Sequence, residues 1–320
     1  MIVAIVGGSG FIGTCLSRRL QRNGSLDLCI VDKVGSKAYP AISHLADVRS
    51  LDALRAAVPT QAALVNLAAE HRDDVTPRSL YHEVNVQGAR NICEVAREQD
   101  VTSIIFTSTV AVYGFAPVGT DESGQINPFN DYGRTKLEAE KVFRAWADAD
   151  PARSLVIVRP SVVFGEGNRG NVYNLARQVA SGRFLMVGDG TNRKSMTYVG
   201  NIVEYLADAL NSPAGTHTSN YADKPDLSTR ELIDVLRTTM ELRGNRARLP
   251  LPVGMAAGHA LDLVARFTRR TFPISAIRIH KFVSDTTVNT DRLTATGYTP
   301  RYSLSEGIRR TVEAEFPPAE

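Results

Sequence analysis

Cysteine is scarce in this chain. Only Cys15, Cys29 and Cys93 occur, unevenly spaced and with no C-x-x-C pair. That excludes a disulfide framework or a cysteine zinc site and makes a reducing cytosol the natural setting, so a cytoplasmic location is expected. The six histidines (His44, His71, His82, His217, His259 and His280) show no ligand spacing, and no metal centre is expected. Charge of one sign is also lacking. Lys+Arg 37 against Asp+Glu 34 leaves a net charge of +3, too small an excess to mark a nucleic-acid binder, though an anionic small molecule stays open. Long apolar runs are missing. The opening run, residues 2–6, is too short for a signal-peptide core and has neither a basic leader nor a small-residue cleavage site. The best later stretch, residues 249–261, holds Pro250, Pro252, Gly254, Gly258 and His259, so no membrane span is expected. What is present is ordinary globular composition, 43% hydrophobic and 22% charged, over 320 residues. That length accommodates one large or two smaller domains.

The first 160 or so residues alternate short β-branched runs with longer amphipathic stretches. Strands are expected at residues 2–6, 27–31, 62–67, 102–107 and 154–158, and helices at 11–23, 50–57, 81–99 and 131–147. Apolar strands that do not alternate, separated by helices, imply an α/β fold with a doubly wound parallel sheet covered on both faces. The rhythm breaks near Arg159-Pro160, and the glycines at 165, 167 and 170 read as loop. Residues 202–210 look helical again, and 216–221 read as a strand returning to the sheet. The expected organisation is a first domain over residues 1–164, with 201–222 crossing back into it. A smaller C-terminal α/β lobe would take 165–200 and 223–320.

Gly7-Gly8-Ser9-Gly10-Phe11-Ile12-Gly13 lies between the first strand and the first helix, with glycines spaced G-x-x-G-x-x-G at Gly7, Gly10 and Gly13. Small residues let the backbone approach a pyrophosphate, and a helix N-terminus offers N–H donors to it. Asp32 ends the second strand where a ribose-binding acid of a dinucleotide (Rossmann) domain is expected. A carboxylate there accepts from a free 2′-hydroxyl and repels a 2′-phosphate, which favours NAD over NADP, although Lys33 beside it keeps NADP open. Asp47, followed by Val48, either contacts the adenine amino group or serves as a loop or capping acid.

Tyr132 and Lys136, at i and i+4, project from one face of a predicted helix that Asn130 or Asp131 would cap. An ammonium beside a phenol favours the phenolate. Bringing a tyrosine from near 10 to neutrality needs about 4 kcal/mol, which a neighbouring cation and a nicotinamide charge together can supply. Thr109, with Ser108 as a second candidate, ends a predicted buried strand. Its hydroxyl either bonds a substrate hydroxyl beside Tyr132 or satisfies the local backbone.

Taken in order, VGGSGFIG, Asp32, Asn66-Leu67-Ala68-Ala69, Asn85-Val86, TSTVAVYG, YGRTK and residues 159–165 resemble the extended short-chain dehydrogenase/reductase family, and within it the NDP-sugar epimerase/dehydratase group. The resemblance covers nearly the whole chain. It implies Tyr132 as acid/base, Lys136 as its electrostatic partner and a ligand of the nicotinamide ribose, and Thr109 as the hydroxyl beside them. It implies that Phe11, Ile12, Val48, Leu67, Ala68, Ala69 and Pro160 join the glycines and Asp32 around NAD, with Ser161 close by. The acidic pair that follows the threonine in the group's dehydratases is replaced by Val110 and Ala111, which points away from dehydration.

The activity implied is epimerisation at C4 of a nucleotide-linked sugar through a 4-keto intermediate. The alternatives are a reductase or dehydrogenase of such a sugar and, from another class, a non-catalytic dinucleotide sensor. Lys194, adjacent to Arg193, stands where the family carries a diphosphate-binding arginine, and Arg278 resembles the second one. Asn171 is expected near the diphosphate or sugar, residues 184–187 on the nucleobase, and His71 near the substrate or on the surface. Thr286 replaces a bulkier residue and leaves room for an N-acetyl group. A homodimer through the helices at 81–99 and 131–147 is implied. Arg266, Arg269 and Arg270, beside apolar residues 261–267, read first as an exposed helix face and second as a contact with anionic lipid or a partner.

Overall fold

A computed structural model describes residues 1–317 apart from 23, 25, 73, 74, 244–247 and 269–275, and, within helices, apart from the side chains at 265, 266, 268, 278 and 281. In chain order the elements are β1 (Ile2–Val6), α1 (Phe11–Gln21), β2 (Asp27–Asp32), β3 (Ser43–Leu45), α2 (Leu51–Ala57), β4 (Ala63–Asn66), α3 (Ser79–His82), α4 (Gly88–Glu98), β5 (Ser103–Thr107), α5 (Asp131–Asp148) and β6 (Ser154–Pro160). They continue with β7 (Val162–Phe164), α6 (Asn171–Ala180), β8 (Met186–Val187), β9 (Arg193–Tyr198), α7 (Val199–Asp208), β10 (Gly215–Tyr221), β11 (Asp223–Ser228), α8 (Thr229–Thr239), β12 (Arg248–Leu249), α9 (Leu251–Thr268), α10 (Ala276–Val283), α11 (Asp291–Ala295) and α12 (Leu304–Glu315). The chain divides into two compact units. The first holds Met1–Val163, Val199–Ala222 and Val288–Arg301, and the second holds Phe164–Tyr198, Asp223–Thr287 and Tyr302–Glu320.

The first unit is built on a seven-stranded sheet of order β10-β6-β5-β4-β1-β2-β3, parallel throughout. This is the doubly wound α/β sheet expected from the sequence. Its central strands are buried along almost their whole length, as continuous apolar runs require. β10 closes one edge in register with β6, Gly215 opposite Ser154 and Tyr221 opposite Pro160. β3, at the other edge, is short and half exposed, and its sequence carries no alternation that would announce it. Trp146 and Phe143 of α5 are fully buried, and the Phe143 ring lies 4.5 Å from that of Phe106 on β5. α1 packs beside α7, where Arg19 pairs with Glu204.

Two expectations change. The helix expected over 81–99 is interrupted by a wider π turn at Glu83–Gln87. There the buried Asn85 accepts from the Glu70 N–H at 2.8 Å and donates to the Glu70 carbonyl at 3.0 Å and to Thr135 at 2.9 Å. A π turn commonly marks such a constraint. Residues 288–301, assigned above to the C-terminal lobe, pack into the first unit instead. The Asn289 N–H bonds the Thr120 carbonyl at 3.0 Å and the Tyr298 hydroxyl donates to the Asn201 carbonyl at 2.7 Å.

In the second unit β9 and β11 pair antiparallel and β8 pairs with β12. α8 opens with a capping box, Ser228 and Glu231 satisfying each other's backbone N–H.

Candidate active site

The glycine turn joins β1 to α1. Gly7 adopts φ +79, and a Cβ there would stand 2.6 Å from the Ala68 backbone nitrogen. Any larger residue would therefore fill the gap between the turn and the segment after β4. A Cβ on Gly13 would meet Gly8 at 2.5 Å, so this glycine lets α1 lie against the turn. Gly10 is the N-cap of α1 and no side chain caps that end. Phe11 and Ile12 open the helix, half-buried. Asp32, at the end of β2, accepts from the Ser9 N–H at 3.0 Å and from the Val34 N–H at 3.2 Å. The turn and the acid are thus one local structure, with a backbone cradle, an uncapped helix end and a carboxylate. The donor set and the space fit a dinucleotide.

Leu67, Ala68 and Ala69 follow β4, half-buried. The Ala68 N–H bonds the Asn66 side chain at 3.1 Å, which shapes this segment. Val48 is buried beneath Gly88, where a Cβ would approach it to 2.9 Å, and its carbonyl accepts from Asn91 at 2.8 Å. Asp47 is held by Arg49 at 2.7 Å, and that hydrogen bond keeps its carboxyl below the usual range. Pro160 ends β6, and the Ser161 N–H bonds the Tyr221 carbonyl at 2.9 Å.

Tyr132 and Lys136 lie on α5, which Asn130 caps through the Gly133 N–H at 2.8 Å. Gly133 is required: a Cβ there would strike the Ala111 carbonyl oxygen at 2.6 Å. That close approach brings Tyr132 beside Thr109, whose hydroxyl draws the phenol pKa down. Thr109 Oγ1 accepts from the Ala111 N–H at 3.1 Å. Burial pushes the Tyr132 phenol up to about 12, with the Thr109 hydroxyl opposing. Lys136 is almost wholly buried, its ammonium 4.2 Å from the centre of the Phe106 ring. Burial brings it down to about 7, with Glu140 opposing.

Ser108, the second hydroxyl candidate, is committed elsewhere. Its Oγ donates to Glu140 Oε1 at 2.6 Å. Glu140 also takes two bonds from Arg159, at 2.9 and 2.7 Å. Arg159 donates on to the Tyr113 hydroxyl at 2.7 Å, which donates to Asn220 at 2.8 Å. All five residues are buried. The sequence reading did not anticipate this chain of bonds. Its one legible signal was Glu140 at i+4 from Lys136, which continues the face of Tyr132 and Lys136.

In the second unit Asn171 is exposed at the start of α6. Lys194 is half-buried on β9 and its ammonium donates to the Ser284 carbonyl at 3.0 Å. Burial lowers it, with Asp285 opposing. Thr286 bridges to Lys194 through the backbone, and Phe184 lies beside Phe282 with centroids 6.3 Å apart. The side chain of Arg278 lies outside the described residues. In the first unit, His71 is exposed.

The chain matches the NAD dependent epimerase/dehydratase family over residues 3–221. It is 44% identical over 318 residues to the N-acetyl-alpha-D-glucosaminyl-diphospho-ditrans,octacis-undecaprenol 4-epimerase of Escherichia coli O157:H7, covering 98% of this chain and 95% of that one. It is 27% identical to the UDP-glucose 4-epimerase of Vibrio cholerae, over 98% of this chain and 94% of that one. The Thermus thermophilus UDP-glucose 4-epimerase, solved as a complex with NAD, shares the fold at a TM-score of 0.77 with 22% identity and full coverage of both chains. A family match over more than half the chain and a full-length relative of this identity agree with the glycine turn, Asp32 and the Thr109–Tyr132–Lys136 cluster: the chain belongs to the NAD dependent epimerase/dehydratase family.

Proposed function

We propose that this protein inverts C4 of an N-acetylhexosamine carried on a diphosphate, using NAD. The observation that carries this reading is Thr109 beside Tyr132, with buried Lys136 one helical turn further on. The carrier in the Escherichia coli relative is a polyprenol, and its 44% identity favours that carrier here. A nucleotide carrier is the second reading, favoured by the Vibrio cholerae relative.

NAD, when bound, would supply a hydride acceptor and donor for C4. Gly7, Gly10, Phe11, Ile12 and Gly13 would hold its pyrophosphate, and Asp32 its ribose. Val48 and residues 67–69 would line the groove, Asp47 or the backbone beside it would face the adenine, and Lys136 and Pro160 would flank the nicotinamide end. Tyr132 takes the proton of the sugar 4-hydroxyl and gives it back after the 4-keto sugar has turned. Thr109 orients that hydroxyl and passes the proton. Burial holds the phenol above its ordinary value, and the positive charge of a bound nicotinamide would lower it toward the working range. Asn171, Lys194 and Arg278 would serve the diphosphate and sugar, and Thr286 would leave room for the N-acetyl group. Assembly as a homodimer through α3, α4 and α5 and a cytoplasmic location belong to the same reading. The family resemblance supports the former, and only three cysteines with no C-x-x-C pair fit the latter. Sedimentation velocity tests the dimer.

The deciding experiment offers polyprenyl-diphosphate N-acetylglucosamine, UDP-N-acetylglucosamine and UDP-glucose to the purified protein and follows C4 inversion by NMR. Inversion of the polyprenyl substrate, with nucleotide sugars poor, is expected. Stoichiometric NAD(P)H consumption without inversion would replace this reading with a reductase. Tyr132→Phe should lower turnover about 10³-fold while NAD still binds.

A further inference from the structure

α9 is built inside out. Successive helical residues turn by about 100°, so Val253, Leu263, Val264 and Phe267 fall in one band, with only alanines between them. These side chains are 52%, 56%, 44% and 79% exposed. The inward face is made of Gly254 and Gly258. A Cβ on Gly254 would stand 2.6 Å from Val187, and one on Gly258 would stand 2.9 Å from Ala276. Asp262, though exposed, accepts from the Ala276 N–H at 3.0 Å at the start of α10. A helix in a water-facing domain ordinarily puts its apolar stripe inward and its charges outward. Here the glycines face the protein and the apolar band faces outward. Scattered exposed apolar residues need no explanation, but a continuous band does.

Three observations choose among occupants. No helix among the described residues is long and apolar enough to cross a membrane, and Asp262 and His259 within α9 fit a helix that lies along an interface. The band from Val253 to Phe267 is ~22 Å long and ~10 Å wide, about 220 Å², well short of the roughly 800 Å² that each partner buries in a stable interface. In the sequence Arg266, Arg269 and Arg270 accompany the end of the band and no acid follows Asp262 before residue 285, so the local charge complements anionic headgroups.

We propose that the outer face of α9 seats the second unit on an anionic membrane surface, with Val253, Leu263, Val264 and Phe267 at the boundary between headgroups and acyl chains. This deepens the polyprenol reading, because such a carrier is itself a membrane lipid.

The test is flotation of the full chain with phosphatidylcholine vesicles, with and without phosphatidylglycerol. Wild type should float with the anionic vesicles, less with the neutral ones and less at high salt. Leu263→Ser/Phe267→Ser should lower the bound fraction more than tenfold with unchanged NAD binding and circular dichroism. Equal flotation of wild type and variant, or none by the wild type, would overturn the proposal. So would a wild-type dimer that the double variant dissociates, if neither form binds vesicles. Flotation does not depend on turnover. Vesicle binding without inversion of any sugar would overturn the assigned reaction and leave the membrane seat standing.

Discussion

Arg159 lays two nitrogens on the carboxylate of Glu140, at 2.9 and 2.7 Å, one helical turn beyond Lys136. With Ser108 on the same carboxylate, Glu140 ties α5 to the ends of β5 and β6. Its charge is also the one that holds the Lys136 ammonium up against burial.

Glu140→Gln should therefore act twice. Leaving Arg159 buried and unpaired costs about 3–5 kcal/mol, read by urea denaturation. Removing the carboxylate also lets Lys136 fall further. The acidic limb of kcat/KM against pH should move upward, because a neutral Lys136 no longer favours the phenolate. Glu140→Asp should restore part of that limb. An unmoved limb would confine Glu140 to stability.

The two adjacent hydroxyls should separate cleanly. Thr109→Val is expected to lower kcat about 10²-fold and to cost about 1 kcal/mol of stability through the lost cap on the Ala111 N–H. Ser108→Ala should cost about 1–3 kcal/mol because a buried carboxylate loses a donor, with kcat within a few-fold of wild type. Identical effects on kcat would mean that Ser108 shares the proton relay.

Lys136 should leave a signature in the pH dependence of stability. It titrates near 7 in the folded, cofactor-free protein and near 10.4 unfolded. Between those values the unfolded chain binds more protons, so this residue makes stability rise with pH. Below about 7 both states are protonated and the full cost of the buried charge is present. Lys136→Met should be more stable than wild type at about pH 6, by on the order of a few kcal/mol, and the advantage should shrink toward pH 10. A constant difference across that range would contradict a depressed Lys136.

Gly13→Ala places a Cβ 2.5 Å from the Gly8 Cα and 2.6 Å from its carbonyl oxygen, both backbone atoms. We expect a loss of about 1–3 kcal/mol and at least tenfold weaker NAD binding by titration calorimetry. Gly35→Ala is the control. Its Cβ would meet only the end of Leu45 at 3.9 Å, and it should behave as wild type.

Local chemistry was legible in the linear chain: buried parallel strands from unbroken apolar runs, the G-x-x-G-x-x-G turn, and Tyr132 and Lys136 on one helix face. Each depends on residues only a few positions apart, whose geometry the backbone period determines. The family resemblance pointed to Thr109 over Ser108, but the partner of Ser108 was not legible. Those residues are neighbours, and only the packing of α5, allowed by Gly133 against Ala111, sends one hydroxyl to Tyr132 and the other to Glu140. The joining of residues 288–301 to the first unit, the Asn85 turn and the outward apolar band of α9 depended likewise on contacts between segments far apart in sequence. Periodicity says that a helix has an apolar side. Which side meets the protein is decided by what packs there, and in α9 the close approach at Gly254 and Gly258 left the larger apolar side chains facing out.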